Sequence, residues 1–224
     1  RTEFRAWMYR VRANGMLGTD VDSTYMELNE RARTSTAPLK QLLHSVSAEA
    51  WWSRYQMDRW QILDRTNMQA EGADPATWTQ ATFIKKVIEE FNASLESPEV
   101  LQNIPVGDLA DLLINTDGEE ALRPTLYDLL AHRALDVFKN SETRITEPAW
   151  RFTLNEPAYF ELFEPFALRT MQHRDSTAWE FKALEVYQRL ERMHLADNTP
   201  AAFVDVTLDR LRYVRDNSTL SEKD

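Results

Sequence analysis

The 224-residue chain contains no cysteine, which removes disulfides, thiolate nucleophiles and zinc–thiolate clusters from consideration. Glycine is scarce as well. Five residues leave little material for tight hairpins, whose corners need positive φ, or for a backbone cradle around a phosphate. Helix is favoured before any pattern is read. No run approaches the roughly 18 consecutive apolar residues of a membrane-spanning helix, so direct insertion into a bilayer by this segment is not expected. Positive charge is in deficit: 26 basic against 36 acidic residues give a formal net charge of −10. A field of that sign repels phosphate backbones and anionic headgroups, which argues against nucleic acid as a partner. GxSxG, P-loop, HExxH and dinucleotide-binding fingerprints are all missing.

What is present is the balance of a globular protein, 43% hydrophobic and 28% charged. The chain is long enough to bury a full core without covalent staples. It reads as a single helical domain over 1–224. Because RTEFRAWMYR, which opens the chain, already has helical spacing, the expectation is a fragment of a larger multidomain protein, with any targeting signal outside it.

Apolar residues recur at helical intervals almost throughout. Phe4, Trp7, Met8 and Val11 predict a first helix ended by Asn14-Gly15. A second starts near Asp22 or Ser23 and runs to about Arg33, and Pro38 fits the first turn of a long helix reaching roughly Asp64. Asp74-Pro75 and Ser97-Pro98-Glu99 read as further helix starts, with Ala81, Ile84, Ile88, Phe91 and Leu95 as the buried stripe between them. Pro124 opens PTLYDLLAHRALDVF, which ends near Asn140. Three prolines (Pro148, Pro157, Pro165) and the alternation Trp150, Phe152, Leu154 predict an extended arm over 140–166. Thr177-Ala-Trp-Glu180 has capping-box spacing, followed by the stripe Trp179, Ala183, Val186, Tyr187, Leu190 and Met193. Asn198-Thr199-Pro200 starts a last helix with Val204, Leu208, Leu211 and Val214 facing inward. The predicted class is all-α: an irregular helical bundle or α-solenoid-like array of about eight helices without a strict repeat.

The stretch AEAWWSRYQMDRW, at 48 to 60, is dense in aromatic rings. On a helical projection Leu39, Leu42, Leu43, Val46, Ala50, Met57 and Trp60 form one apolar stripe. Trp51, Tyr55 and Ile62, flanked by Trp52 and Leu63, form a second nearly opposite. A helix apolar on two sides belongs between two layers, so these rings are expected to be core. The alternative is that Trp51, Trp52 and Tyr55 form an exposed patch where a partner docks.

Asp128, His132 and Asp136 stand at i, i+4 and i+8, on one face of their helix. Carboxylates and an imidazole so placed could hold a divalent metal or polarise a base. The opposite face carries Leu126, Leu129, Leu130, Ala134, Val137 and Phe138, which makes a solvated surface the plainer reading of the trio. His44 is expected to be a hydrogen-bonded core or boundary residue, and His173 and His194 lie near helix ends, where positive charge is favoured at the C-terminal side. No cofactor is expected.

Two stretches, RPTLYDLLAHRALDVF at 123 to 138 and YQRLERMHLADNTPAAFVDVTLDRLRYVRDN at 187 to 217, resemble the helical region that precedes the macroglobulin domains in large alpha-2-macroglobulin-like proteins of the Bacteroidetes type. TYMELNERARTSTAPLKQLLHSVSAEAWW, from Thr24, fits the same region less distinctively. The resemblance implies a cell-envelope or periplasmic setting in a large protein that traps proteases. It further implies a non-catalytic helical scaffold or interaction module whose partners are neighbouring domains of the same protein, other envelope proteins or proteases. The family's thioester motif, Cys-Gly-Glu-Gln, has no counterpart in a cysteine-free chain, so no functional residue carries over. The competing readings are an all-helical hydrolase or metal-binding domain using Asp128, His132 or Asp136, and a tetratricopeptide-like peptide-binding adaptor.

Overall fold

Helices make up the regular structure in a computed structural model that describes residues 6–7, 9–11, 13, 21–64, 74–109, 120–143, 151–174 and 178–220. They include α1 (Val21–Thr34), α2 (Leu39–Leu63), α3 (Gln80–Ser94), α4 (Pro98–Leu101), α5 (Leu126–Phe138), α6 (Glu164–Ala167), α7 (Trp179–His194) and α8 (Ala201–Asn217), and the described residues among 6–13 are helical as well. Among the described residues there is no strand, only an isolated antiparallel bridge between Pro105 and Thr125. The predicted all-α class is the observed one. Where the sequence reads as one domain, the chain groups into two compact units, Arg1–Leu101 and Gln102–Asp224.

In the first unit α2 packs against both α1 and α3. The start of α3 is set by Thr79, whose hydroxyl accepts from the Thr82 amide, and not by Asp74-Pro75, which caps a separate single turn at Pro75–Thr77. Satisfying one of the free amides of a helix start in this way is worth about 1 kcal/mol. On the α1 side, Ser47 donates to Asn29 Oδ1 at 3.0 Å and the Tyr25 hydroxyl donates to the Ala50 carbonyl at 3.1 Å. On the α3 side, Gln80 donates to the Tyr55 hydroxyl at 3.0 Å. Trp51 sits in the middle, its ring centroid 4.5 Å from Tyr25, 4.8 Å from Trp78 and 6.2 Å from Phe83.

The two apolar faces of α2 have different fates. Trp51, Tyr55 and Ile62 are buried. The opposite stripe is covered only in its first half, and Met57 and Trp60, expected inside, are 64% and 77% exposed. Ser47 stands opposite Asn29 and Ala50 opposite Tyr25, so α1 runs antiparallel along the part of α2 that precedes Met57 and Trp60. Within α3, Ile84, Ile88 and Phe91 are buried as predicted and are joined by Phe83 and Val87, whereas Ala81 is exposed.

In the second unit α7 packs against α5, α6 and α8. Helix α5 opens with a reciprocal cap: the Thr125 hydroxyl accepts from the Asp128 amide and the Asp128 carboxylate accepts from the Thr125 amide. The capping box predicted at Thr177 lies outside the described residues, and α7 begins at Trp179 after Ala178. Ala183, Val186, Tyr187 and Leu190 are buried as expected, with Trp179 and Met193 half-buried. In the predicted arm Trp150 lies outside the described residues. Phe152 and Leu154 are buried, and the chain then turns helical at Pro157–Phe160 and in α6. Helix α8 departs from the sequence reading. Its inner face is Ala202, Phe203, Val206, Thr207, Arg210, Tyr213 and Val214, while Val204 and Leu208 are 46% and 44% exposed. On the inner face Arg210 finds partners that an outward position could not offer.

Trp51→Ala is expected to destabilise the first unit by about 3–5 kcal/mol, since it empties a fully packed site. Met57→Ala is expected to stay within about 0.5 kcal/mol of the parent, as a surface change does. Urea denaturation followed by circular dichroism measures both; equal losses would contradict the one-sided burial of α2.

Candidate functional site

The trio read from the sequence is pulled apart by the fold. Asp128 is fully buried, His132 is half-buried and Asp136 is exposed. Asp128 Oδ2 is engaged by the amide and hydroxyl of Thr125 at 2.9 and 2.7 Å. Its other oxygen, Oδ1, lies 2.7 Å from His194 Nε2, contributed by the end of α7. The expectation that all three line a solvated face is therefore corrected at its first member. Asp128 turns inward because it is at once the reciprocal cap of α5 and the counter-charge of a histidine 66 residues away.

His194 is held from both sides. Nε2 faces Asp128 and Nδ1 lies 2.6 Å from Asp197 Oδ2. A carboxylate can only accept, so an imidazole bonded to two of them has to donate from both nitrogens, which makes it an imidazolium. Burial opposes the charge, but the hydrogen bonds and charges of Asp128 and Asp197 outweigh it and hold the His194 pKa above the ordinary histidine value. No lone pair remains on that ring for a metal or for proton abstraction. His132 differs: burial pushes its pKa down and Arg123 adds to this, against an upward pull from Asp128, Asp209 and Asp205.

A second buried pair lies deeper. The Arg210 and Glu191 side chains are both wholly inaccessible and meet at 2.6 Å. Arg210 also donates to the carbonyls of Tyr159 and Glu161 at 2.5 and 2.8 Å, and its guanidinium lies 3.7 Å from the Phe166 ring centroid. Burial pushes the Glu191 carboxyl upward in pKa while Arg210 and Thr207 pull it back. Beside them the Tyr187 hydroxyl donates to Asp209 Oδ2 at 2.5 Å, and Lys139 donates to the same carboxylate at 3.0 Å. Asp209 is held below the usual carboxylate range, because these two donors overcome the effect of its burial.

In the first unit His44 Nδ1 lies 2.7 Å from Glu90 Oε2, and Lys86 donates to Glu90 Oε1 at 2.6 Å, which makes His44 the hydrogen-bonded boundary residue that its position predicts. Glu90 is buried, yet these two partners keep its pKa below the ordinary value. His173 packs edge-on against Phe152 with centroids 4.7 Å apart. The docking patch considered for Trp51, Trp52 and Tyr55 is not a free surface. Trp51 and Tyr55 are 2% and 0% exposed, consumed by packing against α1 and α3, and only Trp52 retains partial access. Sequence reasoning missed Asp197, Glu191 and Arg210. A Thr-x-x-Asp spacing at 125–128 was readable, but the partners that bury these charges come from distant segments.

Among the described residues no group of three or more His, Cys, Asp or Glu side chains is arranged to hold a metal ion, and no helix is long and apolar enough to cross a membrane. Compared with protein-family models, curated proteins and solved structures, the chain matches none.

The imidazolium assignment carries a pH signature. Because the fold raises the His194 pKa, the folded state holds that proton more tightly than the unfolded chain does. The resulting stabilisation is complete below the unfolded value of about 6.5 and is lost as pH climbs through the folded value. His194→Gln is expected to abolish this alkaline loss in denaturant midpoints measured from pH 5 to 9, and nitrogen NMR of the parent at pH 6 is expected to show both ring nitrogens protonated. Glu191→Ala, which strands a buried guanidinium, is expected to cost about 3–5 kcal/mol in urea denaturation, with Glu191→Met plus Arg210→Met recovering much of it.

Proposed function

We propose that this chain is a non-catalytic helical scaffold and interaction module, built into a larger alpha-2-macroglobulin-like protein of the cell envelope that traps proteases. The observation that carries the reading is the state of the buried charges. His194 is locked between Asp128 and Asp197, and Arg210 is bound to Glu191 and two carbonyls. Such groups fix the register of helices, which is what a scaffold requires of them, and doubly engaged groups are poorly placed to exchange protons with a substrate. The partners in this reading are neighbouring domains of the same protein, and envelope proteins or proteases beyond them.

Calorimetric titration with zinc, calcium and magnesium separates this proposal from a metal-dependent enzyme. The expected result is no tight binding. Tight binding lost in His132→Ala would overturn the scaffold reading in favour of chemistry at α5. The family assignment has its own check in the surrounding reading frame, where a lipoprotein-type signal upstream and repeated β-sandwich domains downstream are expected.

A further inference from the structure

Helix α8 has two apolar faces, and its own unit covers one of them. On the outer face Val204, Leu208, Leu211 and Arg215 follow one another at intervals of four, three and four residues, so all four fall within about 60° of the helix circumference. Val204 and Leu208 are 46% and 44% exposed, Leu211 is half-buried and Arg215 exposed. A four-three-four spacing is that of a coiled-coil seam, the pattern by which one helix recognises another of similar pitch.

The charges beside the seam identify the other helix. Asp205 and Arg212 flank the stripe on the same side, seven residues apart and of opposite sign. When two such helices pair antiparallel, with Leu208 of each against Leu211 of the other, the flanking positions bring Asp205 of one copy beside Arg212 of the other, and the two-fold axis repeats the contact. Val204 then meets the aliphatic stem of Arg215, whose charge reaches solvent. Parallel pairing would instead set the Asp205 and Arg212 rows of the two copies on opposite sides of the seam, where they form no such pair.

We propose that the outer face of α8 is a self-association surface on which a second copy of this chain docks antiparallel, through two central Leu208–Leu211 layers and two Asp205–Arg212 ion pairs. The surface stands independently of the family resemblance, since it rests on the helix alone. One helix pair buries less than a standard stable interface, so the dimer is expected to be weak and concentration-dependent, with a dissociation constant of about 10 μM to 1 mM. Each copy carries −10, so association is to be measured at about 150 mM salt, where repulsion between distant charges is screened.

Sedimentation equilibrium of the 224-residue chain tests the proposal. The parent is expected to dimerise within that range and Leu208→Asp to remain monomeric with an unchanged circular dichroism spectrum, since Leu208 is outside the core. Arg212→Asp sets acid against acid and is expected to weaken the dimer about tenfold, and Asp205→Arg combined with Arg212→Asp to restore it to within about threefold of the parent. A parent that stays monomeric throughout overturns the proposal and leaves the seam to a different partner. A parent dimer untouched by Leu208→Asp, or a double charge reversal without rescue, overturns it equally, the first by excluding this face and the second by excluding the antiparallel register.

Discussion

The second unit is organised around one buried guanidinium. Arg210 has no accessible surface, so its charge and the donors brought into the interior need partners within the protein. Glu191 supplies the counter-charge from α7, Tyr159 and Glu161 supply carbonyls from the connecting segment, and Phe166 of α6 offers its ring face. The backbone hydrogen bonds within this segment are those of short local turns, which do not tie it to the helices. Arg210 fastens it to α8 by its carbonyls, and Gln188 and Arg192 of α7 add bonds to the carbonyls of Phe166, Ala167 and Arg169. Because a stranded charge is so costly in the interior, sliding α7 along α8 by even one turn would be strongly disfavoured.

Helix α7 shows how the same logic recurs. Gln188, Glu191 and His194 stand at intervals of three along one side and are all buried, and each binds a different element: α6 and its continuation, α8, and α5. Leu184, Tyr187 and Leu190 provide apolar burial alongside. Apolar packing is indifferent to which neighbour it meets, and it tolerates substitution. A row of polar groups with fixed complements is not indifferent, and it makes a unique arrangement out of helices that could otherwise pack in several ways.

This division explains what the sequence made legible. The helical class, the span of α2, the cores of α3 and α7 and the boundary role of His44 follow from periodicity and local caps. The reading fails where the interior is polar. In α8 the sequence reading faces Val204, Leu208, Leu211 and Val214 inward and is silent on Arg210. The fold keeps Val214 inside, turns Val204 and Leu208 outward and buries Arg210, which finds carbonyls 49 and 51 residues away that no local pattern announces. Asp128 fails for the same reason. Its spacing to Thr125 is a local signal, but its partner His194 becomes a neighbour only once α5 and α7 pack. Met57 and Trp60 fail differently: they belong to the predicted apolar stripe, yet they are left in solvent.

Helix α8 thus carries exposed apolar positions on its outer face, as α2 does at Met57 and Trp60, and the composition of the set on α8 bears on why it persists. At an exposed helical position valine is a poor choice, because its branched side chain loses rotamer freedom against the preceding turn. Propensity therefore does not account for Val204, and neither does burial within the unit, since it is nearly half exposed. Leaving an aliphatic side chain of that size partly in water forgoes on the order of 1 kcal/mol that full burial would yield. The residue makes physical sense when the surface that completes its burial belongs to something outside the unit, and the regular recurrence at Leu208 and Leu211 gives that surface the shape of a helix.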